Sequence, residues 1–210
     1  MRRSEPRWPA ALALLCCLGL YLLLPDRLVV GPRLLVPILL GLPLVPLLAV
    51  RHHHPDDNPN VRRLALVLLG LVTVANMTSV VLLVQRLLDT HVSQGRSLIY
   101  SAASIWVTNI ILYGVWFWEI DRGGPGHRAM SASAGYDLQF PQMENPTLAP
   151  DGWRPQFLDY LYTSFANGTS FAPADAMPLT TRAKCLFASE SVVSLVTISV
   201  VAARAVNILG

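Results

Sequence analysis

Five apolar runs alternate with polar, turn-rich segments along the chain: Trp8–Leu24, Leu34–Val50, Leu64–Val84, Leu98–Trp118 and Cys185–Ala203. Each falls in the window of about 17–25 residues that a helix needs to cross a bilayer. A sixth apolar stretch, Phe157–Thr169, is too short and too polar for a full crossing. It predicts about three helical turns, with Asp159 placed at the positive end of the helix dipole. Asn167 and Gly168 weaken its end, and Ala172-Pro173 stops it, because the residue before a proline is pushed out of the helical region. The pattern therefore predicts an all-α, polytopic membrane protein: about five transmembrane helices plus a re-entrant, pore-like half-helix. Three parts follow from it. Residues 1–118 form a four-helix transmembrane region, 119–156 a proline- and glycine-rich loop, and 157–210 the half-helix and last transmembrane helix.

The first two runs leave more than one reading. Pro37, Pro43 and Pro46 interrupt the second, so the pair forms two full crossings or one buried hairpin. The basic lead and apolar run of the N-terminus also fit a secretory signal. Leu22-Leu23-Leu24 runs straight into Pro25 without a small-x-small cleavage site, which favours an uncleaved anchor helix. Glu119–Gln156 is long for a structureless connection, and such a loop is functional or disordered.

Composition agrees with the pattern. Of the 210 residues, 53% are hydrophobic and 14% charged, against about 25% charged in soluble domains. The lipid bilayer is thus the main partner. Fifteen arginines and one lysine give a net charge of +3, but they are scattered over the loops and form no nucleic-acid stripe. With the N-terminus in the cytoplasm, nine loop arginines lie inside and four outside, which follows the positive-inside rule. The half-helix then starts on the same side as the N-terminus. Three cysteines are too few for a disulfide framework and read as apolar packing residues. His52-His53-His54 with Asp56 and Asp57 has no second ligand cluster and reads as a solvated loop. No catalytic motif is present, so no enzyme, cofactor or metal is expected.

Several polar residues sit inside the apolar runs. Glu190, Ser194, Thr197 and Arg204 share one face of the last helix. An intramembrane carboxylate is a functional candidate by default; the alternative is that Glu190 reaches the interface toward Arg182 or Lys184. Thr73, Asn76, Thr78 and Ser79 in the third run, and Ser101, Ser104, Thr108 and Asn109 in the fourth, read as packing contacts between helices or as a polar lining. Trp116 and Trp118 fit an interfacial aromatic belt.

The segment Leu161–Thr180, LYTSFANGTSFAPADAMPLT, resembles the pore loop of potassium channels. Leu161, Tyr162, Ser164, Thr169, Asp175, Pro178 and Thr180 match the pattern LYFSxxTxTTVGYGDxxPxT. The filter pentapeptide falls on Ser170-Phe171-Ala172-Pro173-Ala174, where alanines replace the glycines whose torsions let carbonyls face an axis. The resemblance implies a homotetramer around a path for a monovalent cation, with Thr169, Ser170, Phe171, Ala172, Pro173, Ala174 and Asp175 at the constriction. The altered filter implies weak selectivity or no conduction. The C-terminal half also resembles an uncharacterised family of bacterial inner-membrane proteins. That likeness rests on Phe140-Pro141 through Glu144 and Pro146, on Asp159 with Leu161-Tyr162 and Phe165, and on Ala205-Val206-Asn207-Ile208. It implies a bacterial inner-membrane location and adds no activity of its own. Three functions follow: an ion-channel-like protein, a structural or partner-binding membrane protein, and a proton-linked transporter using Glu190.

Overall fold

The computed structural model of the chain describes residues 5, 8–22, 24, 25, 28, 37, 38, 41, 59–88, 95–130, 135–170 and 176–209. The described part is predominantly helical. Helix α1 spans Trp8–Leu22, α2 Pro59–Leu88, α3 Gly95–Ile120, α4 Pro125–Met130, α5 Pro141–Glu144, α6 Phe157–Ser170 and α7 Thr181–Leu209. Two-residue strands β1 (Leu138–Gln139) and β2 (Met177–Pro178) pair antiparallel. Three segments are long and apolar enough to cross a membrane: Arg62–Leu88, Ser97–Gly123 and Thr181–Arg204. The first apolar run becomes a helix of 15 residues, short for a crossing. Most of the second run, and the whole His52–His54 loop, lie outside the described residues.

Helix α3 is the centre of the bundle and the most enclosed of the three long helices. Its side chains from Ile111 to Ile120 join α1, α6 and the start of α7 in one apolar core that holds Phe117, Trp118, Tyr160 and Phe187. A second core, nearer the other end, gathers Leu83, Ala102, Ile105, Val193 and Val200 from α2, α3 and α7. Phe117 and Phe187 stack with centroids 4.4 Å apart, a contact worth about 0.5–1.5 kcal/mol beyond the area it buries.

The contacts place the starts of four helices at one end of α3. Arg62 donates to the Glu119 carbonyl, Glu5 accepts from the Trp118 indole, Tyr160 donates to Asp121, and Arg182 pairs with Asp137 beside the end of α3. The starts of α1, α2, α6 and α7 therefore all gather at the C-terminal end of α3. From there α6 runs antiparallel to α3, with Leu161 against Gly114 and Ser164 against Ile110.

Gly114 is what lets α6 come so close. A Cβ at this position would sit 3.0 Å from the Leu161 Cα, which is backbone and cannot swing aside. Gly114→Ala is expected to lower thermal stability in detergent, because overpacking of about 1–3 kcal/mol exceeds the helix-propensity gain of about 1 kcal/mol. Gly70→Ala is the control. Its Cβ would meet only a Trp116 ring carbon at 3.9 Å, so the propensity gain should stand and the melting temperature should hold or rise.

The 119–156 segment is not structureless. A 3-10 turn (Asp121–Gly123), α4, β1, α5 and a second 3-10 turn (Pro146–Leu148) follow one another. Prolines at 141 and 146 open the last two elements, where a missing N–H costs nothing. Arg122, Gly123 and Gly124 take positive φ, so the chain reverses sharply as it leaves α3.

Candidate functional site

Two polar networks hold α6 and the first half of α7 against α3, one at the helix ends and one deep between the helices.

The outer network is built on two buried aspartates. Asp121 Oδ1 accepts the backbone N–H groups of Asp137 (3.1 Å) and Leu138 (3.3 Å). Its Oδ2 accepts the Tyr160 hydroxyl (2.7 Å) and Arg122 Nε (3.2 Å). Asp137 receives Arg182 on both oxygens (2.6 Å each), the Thr180 hydroxyl (2.6 Å) and the Arg122 N–H (3.1 Å). The Asp137 carbonyl accepts the Leu179 N–H. Buried Arg128 adds a two-pronged pair with Glu5. It also donates to the carbonyls of Trp118 and Asp121. The start of α6 (Tyr160) and the start of α7 (Thr180, Arg182) thus hang on the same end of α3.

Burial works against the charge of Asp137. The Arg182 fork, the Thr180 hydroxyl and the Arg122 N–H outweigh it and hold the carboxyl below the ordinary aspartate range. A carboxyl depressed in the folded state stabilises the fold above its unfolded value, near 3.9. That stability is lost as pH falls through the lower, folded value. Thermal stability should therefore fall on acidification below about pH 4, and Asp137→Asn should flatten that part of the profile. For Arg128 too, burial opposes the charge; hydrogen bonding to Glu5 overrides it and the guanidinium is held more firmly protonated.

Helix α6 descends from this end as a 14-residue helix, about 21 Å long at 1.5 Å per residue. Its start is closed by Asp159, whose Oδ2 accepts the Gln156 N–H at 2.7 Å, one half of a capping box. One face buries Phe157, Tyr160, Thr163, Ser164, Asn167 and Gly168. The other exposes Leu158, Tyr162 and Phe165. Small residues face α3 and α7 at the lower end: a Cβ on Gly168 would press on Ser194 Oγ at 3.1 Å and Ile110 at 3.3 Å.

Here the inner network closes. Glu190 on α7 is fully buried. Its Oε1 is hydrogen-bonded to Ser164 Oγ, and its Oε2 accepts from Asn167 Nδ2 at 2.8 Å. Asn167 also donates to the Phe187 carbonyl (3.1 Å) and accepts the Ser191 hydroxyl (3.2 Å). Ser164 Oγ is also 2.7 Å from the Ile110 carbonyl on α3. Asn109 donates to Ser194 Oγ (3.2 Å) and reaches Asn76 on α2 (3.5 Å). Four helices meet in one polar cluster. Glu190 is eight residues into α7 from Arg182, about 12 Å along the axis.

The expected residues separate into groups. Glu190 and Ser194 meet the half-helix in this cluster. Thr197 is buried but bonds its own helix at the Val193 carbonyl. Arg204 lies further along α7, half-buried. Thr169 and Ser170 end α6 exposed, with the Thr169 hydroxyl turned back onto the Phe165 carbonyl. Phe171, Ala172, Pro173, Ala174 and Asp175 lie outside the described residues. Glu190 does not reach Arg182, which is taken by Asp137. Trp118 is buried and its indole donates to Glu5, while the half-buried Trp116 donates to Thr73. Of the cysteines, Cys17 alone is buried, while Cys16 and Cys185 are exposed. Among the described residues, no His/Cys/Asp/Glu group is arranged to hold a metal.

Sequence reasoning missed Asp121, Asp137, Arg128 and Glu5, because charged residues outside the apolar runs look like solvated loop positions. The available signal was their position, flanking the half-helix and the last helix at one membrane surface. No family model, curated protein or solved structure matches the chain.

Proposed function

We propose that this chain is a channel-like, multi-pass membrane protein whose 157–180 segment is a re-entrant hairpin with a non-standard filter. One observation carries the reading. The two ends of the hairpin, at Tyr160 and Thr180, are tied through Asp121 and Asp137 to the same end of α3, while the body of α6 lies beside α3 and α7 down to Glu190 and Ser194. A segment of about 21 Å is shorter than the roughly 30 Å hydrocarbon layer. Non-helical backbone at that depth requires protein or a wet cavity around it. The resemblance to potassium-channel pore loops supplies the rest: four chains around an axis, the stretch from Thr169 to Asp175 at the constriction, and a monovalent cation as the permeant species.

A count of five crossings is supported by the ends of the first two runs. Leu28 accepts a hydrogen bond from Ser79, about 26 Å along α2 from Arg62. Arg62 itself lies at the opposite end, beside Glu119. Leu28 and Arg62 thus lie at opposite ends of α2, as a crossing over Leu34–Val50 requires.

A second reading, a membrane scaffold that keeps the hairpin as a packing element, is favoured by two observations. The inner network is saturated by its own side chains. The hairpin also dips in from the end that holds Glu5, Arg62, Arg122, Arg128 and Arg182, whereas potassium-channel loops come in from outside.

Purified protein reconstituted in liposomes separates the two. A conducting hairpin gives monovalent-cation flux that changes with Ser170→Ala and Asp175→Asn. A scaffold gives no flux and tolerates both changes. Tagging the N-terminus for sidedness is the companion measurement: an outside N-terminus fits the channel orientation, and an inside one fits the scaffold.

A further inference from the structure

We infer that Glu190 is a proton-binding site buried between the helices, its carboxyl carrying a proton that it donates to Ser164, and that this proton decides whether Ser164 of the half-helix is hydrogen-bonded to Ile110 of α3. Ser164 Oγ has two close oxygen neighbours, the Ile110 carbonyl at 2.7 Å and Glu190 Oε1. A hydroxyl has one hydrogen to give. A carbonyl oxygen can only accept, so the Ser164 hydrogen belongs to Ile110. The contact with Glu190 then needs its own proton, and the Glu190 carboxyl is the group that can supply it. The remaining oxygen, Oε2, accepts from Asn167, whose two amide hydrogens are both used, on Glu190 and on the Phe187 carbonyl.

The ionised form fits less well. With a carboxylate, the Ser164 hydrogen must turn to Glu190, and the Ile110 carbonyl faces a hydroxyl oxygen with no hydrogen between them. The Ser164 bond to α3 is lost, while the Trp106 bond to the Gly168 carbonyl and the bonds from α6 to α7 remain. Among the described residues, the surroundings supply no compensating charge. Asn109, Tyr113 and the Ile110 carbonyl face the site from α3, Ser164 and Asn167 from α6, and Ser194, with Ser189 and Ser191, from α7. Tyr113 is the titratable neighbour, and its hydroxyl donates to Ser189 at 2.8 Å. Among the described residues no arginine, lysine or histidine is paired with Glu190. A lone buried carboxylate is costly, and such a group takes up a proton instead. Proton binding at the Glu190 cluster holds whether or not the hairpin conducts.

Infrared spectroscopy of detergent-solubilised protein, carrying carbon-13 in the glutamate carboxyls, tests it at neutral pH. The sequence has four glutamates; Glu5 is paired with Arg128 and Glu144 is exposed. The expected result is a label-shifted C=O stretching band of a protonated carboxyl. The band should vanish in Glu190→Gln. It should stay but move in frequency in Ser164→Ala, where the acceptor of the Glu190 proton is gone. A spectrum holding only ionised carboxylate bands for glutamate overturns the inference, and so does a protonated band that survives Glu190→Gln. If that variant does not fold, the labelled wild-type spectrum with Ser164→Ala decides.

Discussion

Replacing Asp121 by alanine is expected to be the most damaging single change at the helix ends, costing roughly 3–5 kcal/mol. The side chain is fully buried and accepts from four donors at once: two backbone N–H groups, the Tyr160 hydroxyl and Arg122. Removing it leaves a charged guanidinium and three neutral donors without their acceptor. Against a total stability of about 5–15 kcal/mol, a loss of that size lowers the folded yield as well as the melting temperature. Tyr160→Phe removes one of the four bonds and should cost only about 1 kcal/mol. The two variants are compared by thermal melting in detergent and by backbone hydrogen exchange. Asp121→Ala should raise exchange in 135–139 and 157–164 together, because one carboxylate holds both segments. Equal, small losses in both variants would show that Asp121 is not their common anchor.

That anchor explains which parts of the fold were legible in the sequence. Hydrophobic run length located α2, α3 and α7, because a helix that must satisfy its own backbone in lipid announces itself by composition alone. The half-helix was legible too. Its length, Asp159 at its first turn and Asn167-Gly168 at its end bound it to within a residue or two of Phe157–Ser170. The partners of the buried polar residues were not legible. Glu190, Ser164, Asn167 and Asn109 sit at scattered positions on three helices, and helical periodicity gives the face of a residue but not the helix across from it. Trp118 shows the same limit. Its place at the end of an apolar run suggested a membrane interface, yet Glu5 draws its N–H inward from more than a hundred residues away. In the 119–156 segment the prolines and glycines read as a loop. They proved to be the punctuation of short elements folded around Asp121 and Asp137.

The inner network gives the second large effect. Glu190→Ala should cost on the order of 3–5 kcal/mol. It strips the acceptor from Asn167, leaves Ser164 facing a void, and opens a cavity where α3, α6 and α7 meet. Glu190→Gln keeps the volume, and an amide can donate to Ser164 while accepting from Asn167, so it should cost less than about 1.5 kcal/mol. The contrast between the two variants separates hydrogen bonding and packing from charge. If the carboxylate charge itself held the cluster, glutamine would fail nearly as badly as alanine. If the cluster is held as a neutral network, glutamine stays close to wild type and alanine alone collapses. Thermal melting orders the three proteins, and hydrogen exchange localises the damage. In Glu190→Ala, α6 should lose protection from Ser164 to Ser170, while α2, hydrogen-bonded to the cluster through Asn76, keeps most of its own. Loss spread evenly over all helices would mean that Glu190 supports the bundle as a whole rather than the half-helix.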